Sequence, residues 1–229
     1  MAVENYYLTD AAFVEFVSSG DGKNLSEPNA INRFFKRLFD VMASSFGLFL
    51  ILPLFPFIFL LIRLESRGPI FFKQSRVGYR GRMFDCYKFR SMAIDAEDRK
   101  EEFSHLNEAT GAAFKIKDDP RITGVGRFLR RSSLDEFPQL YNVLLGEMSI
   151  VGPRPQIPSE VADYSASHAT RLLVKPGLTC LWQVSGRSHL EFEEWMKLDY
   201  EYVERAGLWF DIQILLKTLP AVIERKGAY

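Results

Sequence analysis

From Val41 to Ile62 the chain reads VMASSFGLFLILPLFPFIFLLI, 22 residues without a charge. As one straight helix this stretch would be about 33 Å long, close to the thickness of a bilayer core. Pro53 and Pro56 sit just past its middle, and each removes an N–H donor and crowds the carbonyl four residues back. Just upstream, Ile31, Phe34, Phe35, Leu38 and Phe39 share one helical face, with Arg33, Lys36 and Arg37 on another. That spacing predicts a helix lying at a membrane interface over 29–40. The apolar run over 41–62 follows it directly.

Beyond the run, residues 70–92 predict a β-hairpin: FFKQSRV, a turn at Gly78 to Gly81, then MFDCYKFRSM. Residues 93–112, rich in Ala and Glu, suggest a surface helix. DDPRITGVGR reads as loop, and SLDEFPQLYNVLLG as a helix running to Gly146. Three prolines after Gly152 argue against regular structure in SIVGPRPQIP. HATRLLVKPGLTCLWQVSGRS is turn-rich with strand-like stretches. Two helices, about 191–205 and 209–225, close the chain. In the second, Ile212, Leu215, Leu216, Leu219 and Ile223 repeat the helical spacing and are expected to pack on the core. Residues 1–28, acidic and carrying GDGK and SEPN turn signals, read as a mobile extension. The fold class is mixed, helix-rich α/β. One compact domain over 29–229, with its catalytic part at 63–229, is built onto a membrane anchor.

Composition narrows the class. The 229 residues are 47% hydrophobic and carry no net charge, which excludes a disordered, collagen-like or multispan chain. The balance hides an asymmetry. Residues 31–92 hold eleven Lys and Arg against three acids, Asp40, Glu65 and Asp85, for a local charge of +8. Such a block calls for an anionic partner: lipid headgroups, nucleic acid or a phosphorylated substrate. The apolar run inside it favours lipid and speaks against nucleic acid. Arg33, Lys36 and Arg37 precede the run, while Arg63, Arg67, Lys73 and Arg76 follow it. A spanning helix would strand one basic flank on the wrong side of the membrane. A hairpin broken at Pro53, with arms reaching roughly 16 Å, avoids the conflict and keeps both ends cytoplasmic. Cys86 and Cys180 have no zinc-like spacing, and a reducing compartment suits them.

Candidate chemistry concentrates in Arg130-Arg131-Ser132-Ser133-Leu134-Asp135-Glu136. No phosphate-binding loop, dinucleotide fingerprint, HExxH or GxSxG motif is present. Ser133 with Glu136 three residues on matches a capping box, which would put Asp135 in a first turn, where the helix dipole keeps a carboxylate ionised. That pattern alone favours a plainer reading, in which the two acids only cap a helix. The setting shifts the balance toward chemistry. Arg121, Arg127, Arg130 and Arg131 crowd the same stretch, and Arg154 is fixed between Pro153 and Pro155. Adjacent carboxylates need a cation, and an oxygen-rich site beside phosphate points to Mg2+. Arginine forks beside carboxylates suit phosphoryl transfer, where catalysis is mostly positioning and charge neutralisation.

KRLFD, the proline-broken run, GPIFFKQSRVG, FDCYKFRSM, RRSSLDEFPQLYNVLLGEMSIVGPRP, KPGLTCLWQVSGR and the terminal GAY resemble the bacterial sugar transferases, the monotopic polyprenol-phosphate phosphoglycosyl transferases. In size the chain is similar to the short, exopolysaccharide-initiating galactosyl-phosphate transferases. The resemblance implies a monotopic enzyme at the cytoplasmic face of the bacterial inner membrane. It would move a sugar-1-phosphate from a UDP-sugar to undecaprenyl phosphate and release UMP. By the same resemblance, Asp135 is the nucleophile that forms a phosphosugar–aspartyl intermediate, Glu136 is its partner, and Mg2+ bridges Asp135 and the diphosphate. Arg130 and Arg154 would hold phosphate oxygens, Lys88 and Arg90 match basic positions near the site, and Arg187 is a candidate for the nucleotide end. The family often has Ser-Pro at the hairpin break, whereas Leu52 precedes Pro53 here. No motif names the sugar, and a homo-oligomer stays open.

Overall fold

Asn29 opens the first helix: its side chain accepts from the Asn32 N–H at 2.8 Å, supplying one of the acceptors that a helix start lacks. The computed structural model describes residues 13, 17, 29–99, 101–107, 116, 118–186 and 191–223. Helix α1, Ala30–Ile51, runs through the interfacial stretch and into the apolar run. A single 3-10 turn, Leu52–Leu54, joins it to α2, Phe55–Glu65. The prolines explain the turn. Pro56 has no N–H to give the Leu52 carbonyl, so the Phe55 N–H takes it one residue early. Leu52 and Leu54 keep right-handed helical angles. The break therefore falls where expected, but as a tightening of the helix and not as a tight reversal into two apposed arms.

The hairpin forms as read. Strands β1, Phe71–Val77, and β2, Met83–Phe89, pair antiparallel, from Phe71 opposite Phe89 to Val77 opposite Met83. Helix α3, Gly124–Arg131, begins inside the stretch expected to be loop. Its start depends on partners that local sequence does not show. Thr123 accepts from the Gly126 N–H at 2.9 Å, and Glu65 at the end of α2 accepts from Gly124 and Val125 at 2.6 and 2.8 Å. Gly126 lies against the Ser91 backbone, where a Cβ would fall 1.9 Å from the Ser91 oxygen. Glycine is there for close approach, despite its poor helix propensity. The surface helix expected over 93–112 is replaced, in its described part, by turns and a 3-10 segment at Ser104–Leu106. Its backbone is engaged sideways: the Ala93 N–H goes to Arg121 O, and the Arg121 guanidinium takes Ala96 O.

Past a 3-10 turn at Leu134–Glu136, helix α4, Gln139–Leu145, is shorter than the helix expected over SLDEFPQLYNVLLG but ends where expected, at Gly146, whose φ of 84° makes a left-handed cap. Strand β3, Ser149–Val151, then pairs parallel with β4, Gly177–Thr179. The SIVGPRPQIP segment thus does contain a strand, because its prolines begin only after Gly152. Short helices α5, Pro158–Val161, and α6, Ala166–Ala169, lie between β3 and β4. Helices α7, Leu181–Ser185, α8, Phe192–Arg205, and α9, Leu208–Ile223, complete the mixed, helix-rich α/β fold. The main core joins Phe84, Val143, Met148, Val151, Tyr202 and Ile214. On α9 the buried face is Phe210, Asp211 and Ile214, while Leu216 is exposed. Phe13 and Val17, the described residues of the expected mobile extension, are buried against Val77, Val161 and Leu172.

One face of the α1–α2 helix is tied to this body along its length, through Asp40, Ser44, Ile51, Ile58 and Ile62. The opposite faces leave Phe34, Phe46, Phe49, Phe57, Leu60 and Leu64 exposed. By length and composition, Ala30–Glu65 could cross a membrane. Ile31, Phe34, Phe35 and Leu38 are exposed, as an interfacial helix over 29–40 requires, but two of its three basic residues turn inward. Lys36 reaches inward to pair with Asp211, beside Tyr202 and the Val151 carbonyl. Arg37 caps the last carbonyls of α4, Val143 O at 2.6 Å and Leu144 O at 2.7 Å. Asp40 accepts from the Ser149 hydroxyl and the Ile150 N–H, both at 2.9 Å. The charges dock the helix, and the apolar face of 29–40 points outward.

Removing one member of a buried ion pair leaves the other charge uncompensated. Lys36→Met is therefore expected to lower stability by about 3 kcal/mol, and adding Asp211→Asn to recover part of the loss. Unfolding in detergent micelles measures both.

Candidate active site

The two acids do not form the capping box their spacing suggests. Ser133 takes a left-handed φ of 56° and its side chain makes no cap. Its N–H instead closes the end of α3 on the Arg130 carbonyl at 3.0 Å. Asp135 and Glu136 follow in the 3-10 turn, where Glu136 is drawn to cations from two other elements. Lys88, on β2, donates to Glu136 Oε1 at 2.8 Å, and Arg154, just past β3, donates to the same oxygen at 3.1 Å. Burial alone would raise the Glu136 pKa, but Lys88 and Arg154 outweigh it and hold the carboxyl well below the usual range.

Asp135 is the opposite case. It is buried, and among the described residues no donor reaches its carboxylate. Burial first, and then the Glu136 charge beside it, push its pKa above the ordinary value, against Lys88, Arg130 and Arg154. Its ionisation is not secured by a helix dipole, as its expected first-turn position implied. Arg130 stands alongside, its Nε donating to the Ser91 hydroxyl at 2.8 Å.

The structure thus gathers Asp135, Glu136, Lys88, Arg130 and Arg154. Arg90 it sends elsewhere. That guanidinium binds the Ser66 carbonyl at 2.7 Å and the Arg67 carbonyl at 3.1 Å, clamping the chain after α2. Arg121 is locked to Asp119 at 2.7 Å, while Arg127 and Arg131 are exposed on α3. Arg187 lies outside the described residues. Cys86 and Cys180 are free and buried. Ser91 and Glu65 were missed in sequence. Ser91 adjoins YKFR and could have been suspected, whereas nothing local links Glu65 to a helix start 59 residues later.

Among the described residues no cluster of three or more His, Cys, Asp or Glu side chains could enclose a metal. The donor set fits a different kind of site. Glu136 is occupied by its two cations, and Asp135 offers carboxylate oxygens that no donor reaches among the described residues, beside Arg130 and Arg154. That suits Mg2+, which takes one or two carboxylates and completes its shell with phosphate and water.

Adjacent acids should answer neutralisation with opposite sign. Folding raises the Asp135 pKa, so its ionised form costs stability at neutral pH, and Asp135→Asn is expected to leave the fold as stable or more so. Folding depresses the Glu136 pKa, so its contribution is present above the unfolded value. Glu136→Gln is expected to cost about 1–3 kcal/mol. The same substitution removes the charge that raises Asp135, so an NMR titration of the Asp135 carboxyl should move to lower pH.

Comparison with known proteins bears on this arrangement. The family model described as bacterial sugar transferase matches residues 31–225. The chain is 45% identical over 194 residues to galactosyl transferase CpsE of Streptococcus agalactiae, covering 84% of this chain and 43% of that protein. It is 41% identical over 230 residues to the undecaprenyl-phosphate galactose phosphotransferase of Salmonella typhimurium, with coverage of 97% and 48%. With the exopolysaccharide production protein ExoY of Rhizobium meliloti it shares 42% over 198 residues, with coverage of 85% and 88%. The chain therefore spans less than half the length of the first two and most of the third. The matched region holds the apolar helix, the hairpin, the Asp135–Glu136 turn and the arginines around it, and the chain belongs to the bacterial sugar transferase family.

Proposed function

We propose that this protein transfers a hexose-1-phosphate from a UDP-sugar to undecaprenyl phosphate, releasing UMP, as the first membrane step of exopolysaccharide or other glycoconjugate synthesis. The observation that carries the reading is the buried Asp135, which no donor reaches among the described residues, beside a Glu136 already neutralised by Lys88 and Arg154. One carboxylate is left available for reaction, and cations for phosphate surround it. The relatives' names, which specify galactose and undecaprenyl phosphate for those proteins, point the same way.

The chemistry runs in two displacements. An Asp135 oxygen attacks the sugar-bearing phosphorus, the bond from that phosphorus to the bridging oxygen breaks, and UMP leaves with the electron pair. A phosphate oxygen of the polyprenol then attacks the same phosphorus and Asp135 departs as carboxylate. One diphosphate is broken and one is made, so covalent catalysis serves to divide the barrier and not to supply driving force. The sugar C1–O bond is never cut, and the anomeric configuration survives. Poor solvation, which raises the Asp135 pKa, also leaves its ionised oxygen unscreened as a nucleophile. Arg130 and Arg154 neutralise the transferring phosphoryl oxygens, and Glu136 keeps Lys88 and Arg154 aimed. Bound Mg2+, held by Asp135 and the substrate diphosphate, would add charge neutralisation.

The substrates meet at the membrane surface on the cytoplasmic face, and the anchor is monotopic and re-entrant. Both ends of the α1–α2 helix support this, since Lys36 and Arg37 near one end and Glu65 at the other bind the same globular body. A crossing would place those ends on opposite sides of the bilayer.

Asp135→Asn is expected to reduce UMP release at least about 1,000-fold, assayed first with UDP-galactose and then with UDP-glucose. Wild-type protein given donor without lipid should release one UMP and gain a phosphohexose on the Asp135 peptide. UMP appearing only after lipid is added would overturn the two-step route. For topology, single cysteines replacing Arg33 and Arg67, with Cys86 and Cys180 changed to serine, should both react with an impermeant maleimide on inverted vesicles. Neither should react from outside intact spheroplasts.

A further inference from the structure

We infer that Arg171 and Arg76 are positioning residues that aim Arg154 through its own backbone. The inference rests on the reaction proposed above. Arg154 sits between Pro153 and Pro155, which fix φ and contribute no N–H. The segment cannot hold itself by pairing as a strand, and it is held instead through its carbonyls. Pro153 O accepts from the Gly177 N–H at 2.9 Å, and Gln156 O from the Val77 N–H at 3.0 Å. Between them, Arg154 O accepts from Arg171 Nη2 at 2.7 Å and Pro155 O from Arg76 Nη1 at 2.9 Å. Four consecutive carbonyls are thus bound from β4, β1 and the segment after α6.

Arg171 is itself anchored. It is buried, paired with the buried Asp199 at 2.7 Å, and its Nη1 donates to the Tyr164 hydroxyl at 2.7 Å. A buried ion pair is costly and often no better for stability than apolar packing. What this pair achieves is a planar, fixed fork that keeps Nη2, the nitrogen facing Asp199, on the Arg154 carbonyl, while Nε has no partner among the described residues. Lysine, a mobile point charge, could keep the pairing with Asp199 but not hold two acceptors in a set plane. Neither Arg171 nor Arg76 hydrogen-bonds to Asp135 or Glu136; their effect on the reaction passes through where the strap holds the Arg154 guanidinium, which bonds Glu136.

The test is a double-mutant cycle on the full-length protein in detergent, reading UMP release from UDP-sugar with undecaprenyl phosphate. Arg171→Lys and Arg76→Lys are each expected to lower kcat about 10–100-fold, with the melting temperature within a few degrees of wild type. In an Arg154→Lys background, adding either substitution should change kcat less than about twofold, because the group being aimed is already gone. Losses that multiply in full in that background would overturn the positioning role. Should Arg171→Lys not fold, Arg76→Lys carries the same cycle. A wild-type protein that releases no UMP would defeat the reaction and this role with it; an active protein with independent losses would defeat the role alone.

Discussion

Glu136 taking both Lys88 and Arg154 is the contact on which the site depends. It fastens the hairpin and the proline-rich strap to the turn after α3, three elements remote in sequence. It also divides two neighbouring acids into different states. Glu136 is held ionised by its partners, and its persistent charge, after burial, helps raise Asp135. Two carboxylates of the same chemistry are pushed apart by environment: one is held ionised by two cations, the other is raised by burial and its neighbour's charge.

The same economy governs the membrane-facing part. Lys36, Arg37 and Asp40 are spent inside the protein, on Asp211, on the end of α4 and on β3. Past Asn32 and Arg33, which are exposed near its start, what remains outward on that helix is mainly apolar. At the far end, Glu65 caps α3 and Arg90 clamps the carbonyls that follow α2. The apolar helix is therefore joined at both ends to elements that carry site residues: α3 leads into Asp135, and β2 bears Lys88. The position of the apolar helix and the geometry at the carboxylates are thus mechanically coupled.

Much of this was legible in sequence where the cause is local. β-friendly residues on either side of a Gly78–Gly81 turn gave the β1–β2 pairing, helical spacing gave the two closing helices, and Gly146 marked the end of α4 because left-handed backbone favours glycine. The Arg-rich stretch and the acids at 135 and 136 stood out by residue type, and the order of motifs along the chain pointed to the family. The readings that missed share one feature: a distant group changed a local preference. GVGR is a poor helix former until Thr123 and Glu65 cap it and Ser91 demands a glycine. Ser133 and Glu136 satisfy a capping pattern, yet Lys88 and Arg154 offer the carboxylate more than a backbone N–H can.

Sequence by itself determined the chain's materials: an apolar run of membrane length, a basic block around it, a carboxylate pair beside arginines, and an arginine locked between prolines. These follow from residue identity and short-range spacing, which need no partner. Only the tertiary structure decided how each charge is used. It turned Lys36 and Arg37 inward, took Arg90 away from the site, left Asp135 without a donor among the described residues, and placed Arg171 behind the Arg154 carbonyl. The reason is that a side chain's protonation, aim and availability are set by what surrounds it in space, and those neighbours come from elsewhere in the chain.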